Sequence, residues 1–180
     1  MNIHKDVERV LIDEAAIAKL VNRLGEDLRR DYEGKNPLLI SVLKGSFVFM
    51  ADMIRAMNID CEVDFLMLSS YGNQSASSGQ VEIMKDLNQS IEGRHLLIIE
   101  DILDSGRTLQ YIMELLTVRK PASIKLCTFL DKPERRTVPI TADYVGAEIP
   151  DEFVIGYGLD FAEKYRQLPY VGVLRRELYQ

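Results

Sequence analysis

The chain has 180 residues, 47% hydrophobic and 28% charged, with a formal net charge of −6 and an isoelectric point near 5.0. That length suits one domain with a sizeable core, and the acidic balance argues against a surface that coats nucleic acid, which would need clustered Lys and Arg. No signal-peptide stretch opens the sequence, and apolar runs such as Phe47 to Ala51 fall far short of the roughly 20 residues that span a bilayer. No membrane role is expected. Cys61 and Cys127 sit in strand-like contexts without metal-type spacing, so two buried thiols in a reducing, cytoplasmic setting are the expectation.

In chain order, Asp13 is placed to cap a helix whose apolar residues Ile17, Leu20, Val21, Leu24 and Leu28 recur on one face, ending near Gly34. Pro37 introduces a buried strand, Leu38 to Leu43. After Lys44-Gly45, the residues Phe47, Met50, Met53 and Ile54 mark a second helix closing at Asn58. Glu62 to Leu68 reads as the next strand. The stretch from Ser69 to Gln80 is rich in Ser and Gly without a core signal, which predicts a mobile loop. Val81 to Met84 then reads as a short strand, and Ile91 to Arg94 as a turn. Beyond the central strand discussed next, strand signals recur at Ser123 to Leu130, Tyr144 to Glu148 and Phe153 to Ile155. With no repeats or linkers, the pattern predicts a single α/β domain over residues 1–180, with a mainly parallel central sheet flanked by helices.

The most informative stretch is Leu96 to Thr108, Leu-Leu-Ile-Ile-Glu-Asp-Ile-Leu-Asp-Ser-Gly-Arg-Thr. Leu96 to Ile99 reads as a strand buried on both faces, and in open α/β sheets ligands bind at the carboxyl ends of such strands. The acidic pair Glu100-Asp101 therefore lands at the edge of a crevice. Gly106 permits close backbone approach, while Ser105 and Thr108 supply hydroxyls. The following helix, with Leu109, Ile112, Met113 and Leu116 at helical spacing, would aim its free N–H groups at an anion. Two carboxylates beside a phosphate site make sense when they grip ribose hydroxyls or a cation-bridged ligand.

This segment closely resembles the phosphoribosyl-diphosphate (PRPP) binding signature of the type I phosphoribosyltransferases. Further stretches resemble their hypoxanthine-guanine branch: Leu43-Lys44-Gly45, Ser69-Ser70-Tyr71-Gly72, Leu130-Asp131-Lys132-Pro133, Ile149 to Asp160, and Tyr165-Arg166. The resemblance runs from about Pro37 to Leu174. It implies the type I phosphoribosyltransferase fold, with a small base-binding hood over the sheet, and assembly as a homodimer or homotetramer.

By the same resemblance, Glu100 and Asp101 would bind the ribose hydroxyls, directly or through Mg²⁺, with Asp160 helping to position the metal. Asp104, Ser105, Gly106, Arg107 and Thr108 would hold the 5′-phosphate. Lys44, Gly45 and Arg166 would meet the pyrophosphate, and the loop carrying Ser70 and Tyr71 would close as a lid. Phe153 would stack on the purine, Val154 would contact its edge through the backbone, and Lys132 would donate to the oxygen at C6. Asp104 would also share the purine N7 proton. The implied activity is purine salvage, transferring phosphoribose from PRPP to hypoxanthine or guanine with release of pyrophosphate.

A PRPP-sensing regulator on the same fold is the alternative from another class, and it would need a basic face that this chain lacks. A sister enzyme acting on xanthine, adenine, orotate or uracil is the second. A P-loop or Rossmann nucleotide site is disfavoured, because no Gly-x4-Gly-Lys-Ser/Thr occurs and Gly156-x-Gly158 lacks its third glycine. His4 and His95 have no triad-like partners and receive no chemistry.

Overall fold

The computed structural model describes residues 4–70 and 81–180. Its elements follow in chain order as β1 (Val7–Ile12), α1 (Glu14–Tyr32), β2 (Leu38–Leu43), α2 (Phe47–Met57), β3 (Glu62–Ser70), β4 (Val81–Lys85), β5 (His95–Leu103), α3 (Arg107–Thr117), β6 (Ser123–Asp131), β7 (Tyr144–Glu148), β8 (Val154–Ile155) and β9 (Val171–Leu174). Six strands form a central sheet in the order β4-β3-β2-β5-β6-β7. All neighbours in it are parallel except β3 and β4.

The two-residue period of the central strands sorts their side chains between two layers. In β5, Leu97 and Ile99 join one apolar cluster with Leu24 and Leu28 of α1 and Phe49 and Met53 of α2. Leu96 and Ile98 face the opposite side and pack with Ile112 and Leu116 of α3. Both faces are thus covered, which is why Leu38 to Ile40 in β2 and Leu96 to Ile99 in β5 read as unbroken apolar runs. Asp13 caps α1 as expected, its carboxylate accepting from Ala16 N at 2.8 Å.

Four features differ from the sequence reading. The signature strand continues through the acidic pair to Leu103, so Glu100 and Asp101 lie inside β5 rather than beyond its end. Ser69 and Ser70 belong to β3, opposite Glu82 and Val81; the lid expectation for Tyr71 falls on residues 71–80, outside the described residues. The buried face of α2 is Phe49, Met50, Met53 and Met57, whereas Phe47 is 45% exposed. Finally, β1 and β9 were not anticipated as strands. They pair with β8 in a separate antiparallel sheet of order β1-β9-β8, which forms the hood.

The junction of α1 with α2 requires a glycine for reasons of space. A Cβ on Gly25 would lie 2.6 Å from Ala56 Cβ and 2.8 Å from the Ala56 carbonyl carbon. Gly→Ala inside a helix ordinarily gains up to about 1 kcal/mol, but forcing α1 and α2 apart costs about 1–3 kcal/mol. Gly25→Ala is therefore expected to lower the urea midpoint of unfolding at unchanged m-value, and an unshifted midpoint would show that the helices part freely.

Candidate active site

The site begins with two adjacent carboxylates in a strand of the central sheet. Asp101 is 7% exposed, and a Cβ on Gly45 would overlap its carboxylate, so the Lys44-Gly45 turn after β2 lies directly against it. Burial pushes the Asp101 carboxyl up to about 6, opposed by backbone N–H donors, including Ile102 N at 2.8 Å, and by the charge of Arg166. Glu100 is raised well above the usual carboxylate range by burial and by its neighbour Asp101. Its Oε2 is buried without a hydrogen-bond partner. The pair is thus short of positive charge and of donors, and its hard oxygens fit a divalent cation such as Mg²⁺.

Asp160 does not complete a three-carboxylate set. Its Oδ1 lies 2.9 Å from Arg166 Nη2, and its Oδ2 accepts from Glu163 N at 2.9 Å. Among the described residues, no group of three or more His, Cys, Asp and Glu side chains gathers to hold a metal. Asp160 nevertheless lies close enough to Asp101 to raise its pKa, and its expected part in positioning Mg²⁺ belongs to the functional proposal below. Mg²⁺ is commonly held in this way, by one or two carboxylates, with water and substrate oxygens filling the remaining positions.

From the end of β5 the chain turns through Asp104-Ser105-Gly106 into α3. Gly106 has φ of +83°, and a Cβ there would overlap Ile140, so conformation and space both demand glycine. The first turn of α3 carries no acidic residue. Its free N–H groups and the Thr108 hydroxyl stand at an exposed rim suited to an anion. The turn is held from behind by Arg136, which donates to the carbonyls of Leu103 and Asp104 and pairs with Asp131. Thr137 N adds a bond to Ser105 O at 3.0 Å, and Arg107 Nε donates to Thr137 Oγ1 at 3.1 Å.

Asp104, Lys132, Phe153 and Val154 line one cavity of about 500 Å³, with Ile102 and Tyr179. Lys132 is 6% exposed and gives one N–H to Glu152 O at 2.6 Å, leaving two for a ligand. Burial lowers its pKa, against the pull of Asp104 and Asp151. Phe153 is 37% exposed, an uncommon position for a large aromatic ring unless something stacks on it. Asp104 Oδ1 lies 2.8 Å from Arg135 Nε, an ion pair without hydrogen-bond alignment, and Arg135 Nη1 reaches Asp151 at 3.3 Å.

The cations expected to meet pyrophosphate are held by carboxylates. Lys44 Nζ is 3.0 Å from Glu163 Oε2, and Arg166, besides its pair with Asp160, donates to Gly158 O at 2.8 Å. The structure therefore gathers Lys44, Gly45, Asp160 and Arg166 around Asp101, and Asp104, Lys132, Phe153 and Val154 around one cavity. Arg135, Arg136, Ile102 and Tyr179 were not singled out from the sequence. The Arg135-Arg136 doublet so close after Lys132-Pro133 was a visible cue; nothing in the sequence marked Tyr179.

A mainly parallel sheet bearing an acidic pair, a glycine turn into a helix at one strand end and a hooded cavity beside it defines a phosphoribosyl-transfer site on an α/β scaffold. The profile of the phosphoribosyl transferase domain matches residues 10–162, and the chain belongs to that family, within its hypoxanthine-guanine branch. It is 55% identical to the hypoxanthine-guanine phosphoribosyltransferase of Bacillus subtilis over 175 residues, covering 97% of each chain. The crystal structure of a hypoxanthine phosphoribosyltransferase from Staphylococcus aureus matches with a TM-score of 0.95 at 48% identity, over 100% of this chain and 99% of that one. The Trypanosoma cruzi hypoxanthine phosphoribosyltransferase in complex with the product IMP matches with a TM-score of 0.92 at 46% identity, over 99% of this chain and 100% of that one. The chain spans 28% of the length of the bifunctional TilS/HprT proteins of Listeria, to which it is 53% identical over 178 residues.

Arg136 and Asp131 have side chains 15% and 13% exposed, so removing the guanidinium strands a mostly buried carboxylate and two carbonyls. Breaking such a pair costs about 2–4 kcal/mol, discounting the value for full burial. Arg136→Gln should show this loss in denaturant unfolding, together with faster amide exchange at Ser105 to Leu109. A loss of stability without any change in that exchange would separate Arg136 from the turn.

Proposed function

We propose that the protein transfers the 5-phosphoribosyl group of PRPP to N9 of hypoxanthine or guanine, giving IMP or GMP and pyrophosphate. The observation that carries the reading is the shared cavity of Asp104, Lys132 and Phe153, which Ile102 also lines, next in sequence to Glu100-Asp101. A planar base stacked on Phe153 there would have a donor-only ammonium at its carbonyl edge and a carboxylate near its imidazole edge. Relatives named for this activity, and a neighbour of known structure holding IMP, support the same assignment.

In the reaction, the N9 lone pair attacks C1 of the ribose, the C1–O bond to pyrophosphate breaks with its electrons, and Asp104 takes the N7 proton. Glu100 and Asp101 bind the ribose hydroxyls and place fixed negative charge near the sugar as oxocarbenium character develops. Mg²⁺ bound at these carboxylates, with Asp160 helping to position it, would supply charge neutralisation for the leaving pyrophosphate. Lys44 and Arg166 supply the remaining positive charge, and Arg107, Thr108 and the α3 N–H groups take the 5′-phosphate. Closure of the Ser70-Tyr71 segment, which would exclude water, belongs to the same reading.

The single-domain organisation over residues 1–180, a cytoplasmic setting and assembly as a homodimer or homotetramer also belong to it. Among the described residues no helix is long and apolar enough to cross a membrane, and the exposed Phe47 and Val63 offer apolar surface for a subunit contact. Light scattering after size exclusion reads the assembly directly.

Turnover of hypoxanthine with PRPP should vanish on chelation of divalent cations and return with Mg²⁺. Asp104→Asn should lower kcat by roughly 10- to 10⁴-fold, the range for loss of a general acid–base group, while both KM values stay nearly constant. A rise in KM alone would make Asp104 a positioning residue.

Base choice rests on Lys132, which can bond a 6-oxo group but meets a 6-amino group donor against donor. An unpaired group in a closed site costs about 1–3 kcal/mol, so hypoxanthine should exceed adenine in kcat/KM by at least about 5-fold. Lys132→Gln, whose amide presents a donor or an acceptor, should narrow that ratio. An unchanged ratio would move base reading to the backbone near Val154.

A further inference from the structure

Phe153 has three faces to account for: two ring faces and an edge. Phe161 stands edge-on to it, with centroids 5.5 Å apart and planes at 88°. Tyr179 stacks on it, with centroids 4.9 Å apart and planes at 27°. That leaves one ring face for a ligand, because a base slipped between Phe153 and Tyr179 would need two stacking intervals of about 3.5 Å each, about 7 Å in all. The other face is left to meet a ligand in the cavity that Phe153 shares with Ile102.

Tyr179 is fixed in this position by several independent contacts. Leu174 N donates to Phe153 O at 2.8 Å, so β9 runs alongside the residue that Tyr179 covers. Just beyond it, Arg175 N donates to Asp6 O at 3.0 Å and Arg175 Nε to Lys5 O at 2.8 Å, tying the turn to the start of β1. A 3₁₀ turn at Arg176–Leu178 then swings the chain back, and Tyr179 N closes it on Arg176 O at 3.2 Å. The Tyr179 ring packs against the buried hood cluster of Val7, Ile155, Leu168, Tyr170 and Leu174.

We propose that Tyr179 is a positioning residue for the base. It backs the Phe153 ring and holds its plane, so that the opposite face meets the purine already oriented. Without that backing, Phe153 could turn about its side-chain torsions into the space that Tyr179 leaves, and base binding would bear the cost of fixing it again. The hydroxyl has no part in this role; the ring face does. The inference rests on the reading of Phe153 as the purine platform given above.

The test is steady-state kinetics of Tyr179→Ala, Tyr179→Phe and the unaltered protein with hypoxanthine and PRPP. An aromatic pair contributes modestly beyond its buried area, so Tyr179→Ala should raise KM for hypoxanthine by about 3- to 10-fold, with kcat and KM for PRPP within about twofold. Tyr179→Phe should restore the unaltered value. Calorimetric titration with IMP should show the same loss and the same rescue.

An unchanged KM in Tyr179→Ala would overturn the proposal. So would a lowered KM, because it would mean that Tyr179 competes with the base for Phe153. A parallel fall in kcat with a rise in both KM values would also overturn it, by reducing Tyr179 to a general structural support. An unaltered protein that fails to turn over hypoxanthine at all would instead sink the functional reading beneath it, so the two failures are distinct.

Discussion

Burial of two adjacent carboxylates in a central strand is the constraint around which the site is organised. Each ionised carboxylate taken out of water costs several kcal/mol unless donors and cations replace its hydration. Asp101 recovers part of this from backbone N–H groups and from Arg166, while Asp160 works against it. Glu100 recovers less, since one of its oxygens has no hydrogen-bond partner. The free protein therefore carries an electrostatic deficit at the middle of its sheet. A ligand that brings a cation and hydroxyl donors would relieve that deficit.

The sheet topology explains how the other parts reach this point. In a mainly parallel sheet the carboxyl ends of β2, β5 and β6 lie side by side, so Lys44-Gly45, the Asp104 to Thr108 turn and Lys132 arise at three neighbouring strand ends. The hood adds Phe153, Val154, Asp160 and Arg166 from above. Lys44 and Arg166 are already paired, with Glu163 and Asp160. Exposed pairs such as Lys44 with Glu163 are worth at most about 1 kcal/mol, so exchanging that partner for a multiply charged pyrophosphate is energetically easy. These pairs keep the cations near their place without making them unavailable.

Much of this was legible in the sequence, and the reasons for the gaps are physical. The buried runs of β2 and β5 and the helical spacing in α1 and α3 are local signals, and they gave the correct elements. β1 and β9 escaped because their side chains become buried only through a sheet that joins opposite ends of the chain. In α2 every residue from Phe47 to Ala51 is apolar, so that first half offered no polar contrast to show which face turns inward. The candidate site residues came from the resemblance of their motifs to a known family, and their partnerships could not be read that way. Arg136 with Asp131, Lys132 with Glu152 and Phe153 with Tyr179 are contacts that only the tertiary fold creates.

The acidity of the chain looks at odds with the proposed substrate PRPP, a polyanion, and charge screening resolves it. At physiological ionic strength the Debye length is about 8 Å, so most of the net charge of −6 is screened from a ligand approaching the crevice. On the proposed reading, affinity then depends on what lies within contact range: the α3 N-terminus, Lys44, Arg166 and a cation on Glu100-Asp101. The two carboxylates that add most to local negative charge are the ones that would recruit that cation. An acidic protein can thus bind a polyanion by coupling its affinity to a divalent ion, whereas a basic patch would attract polyanions of every kind.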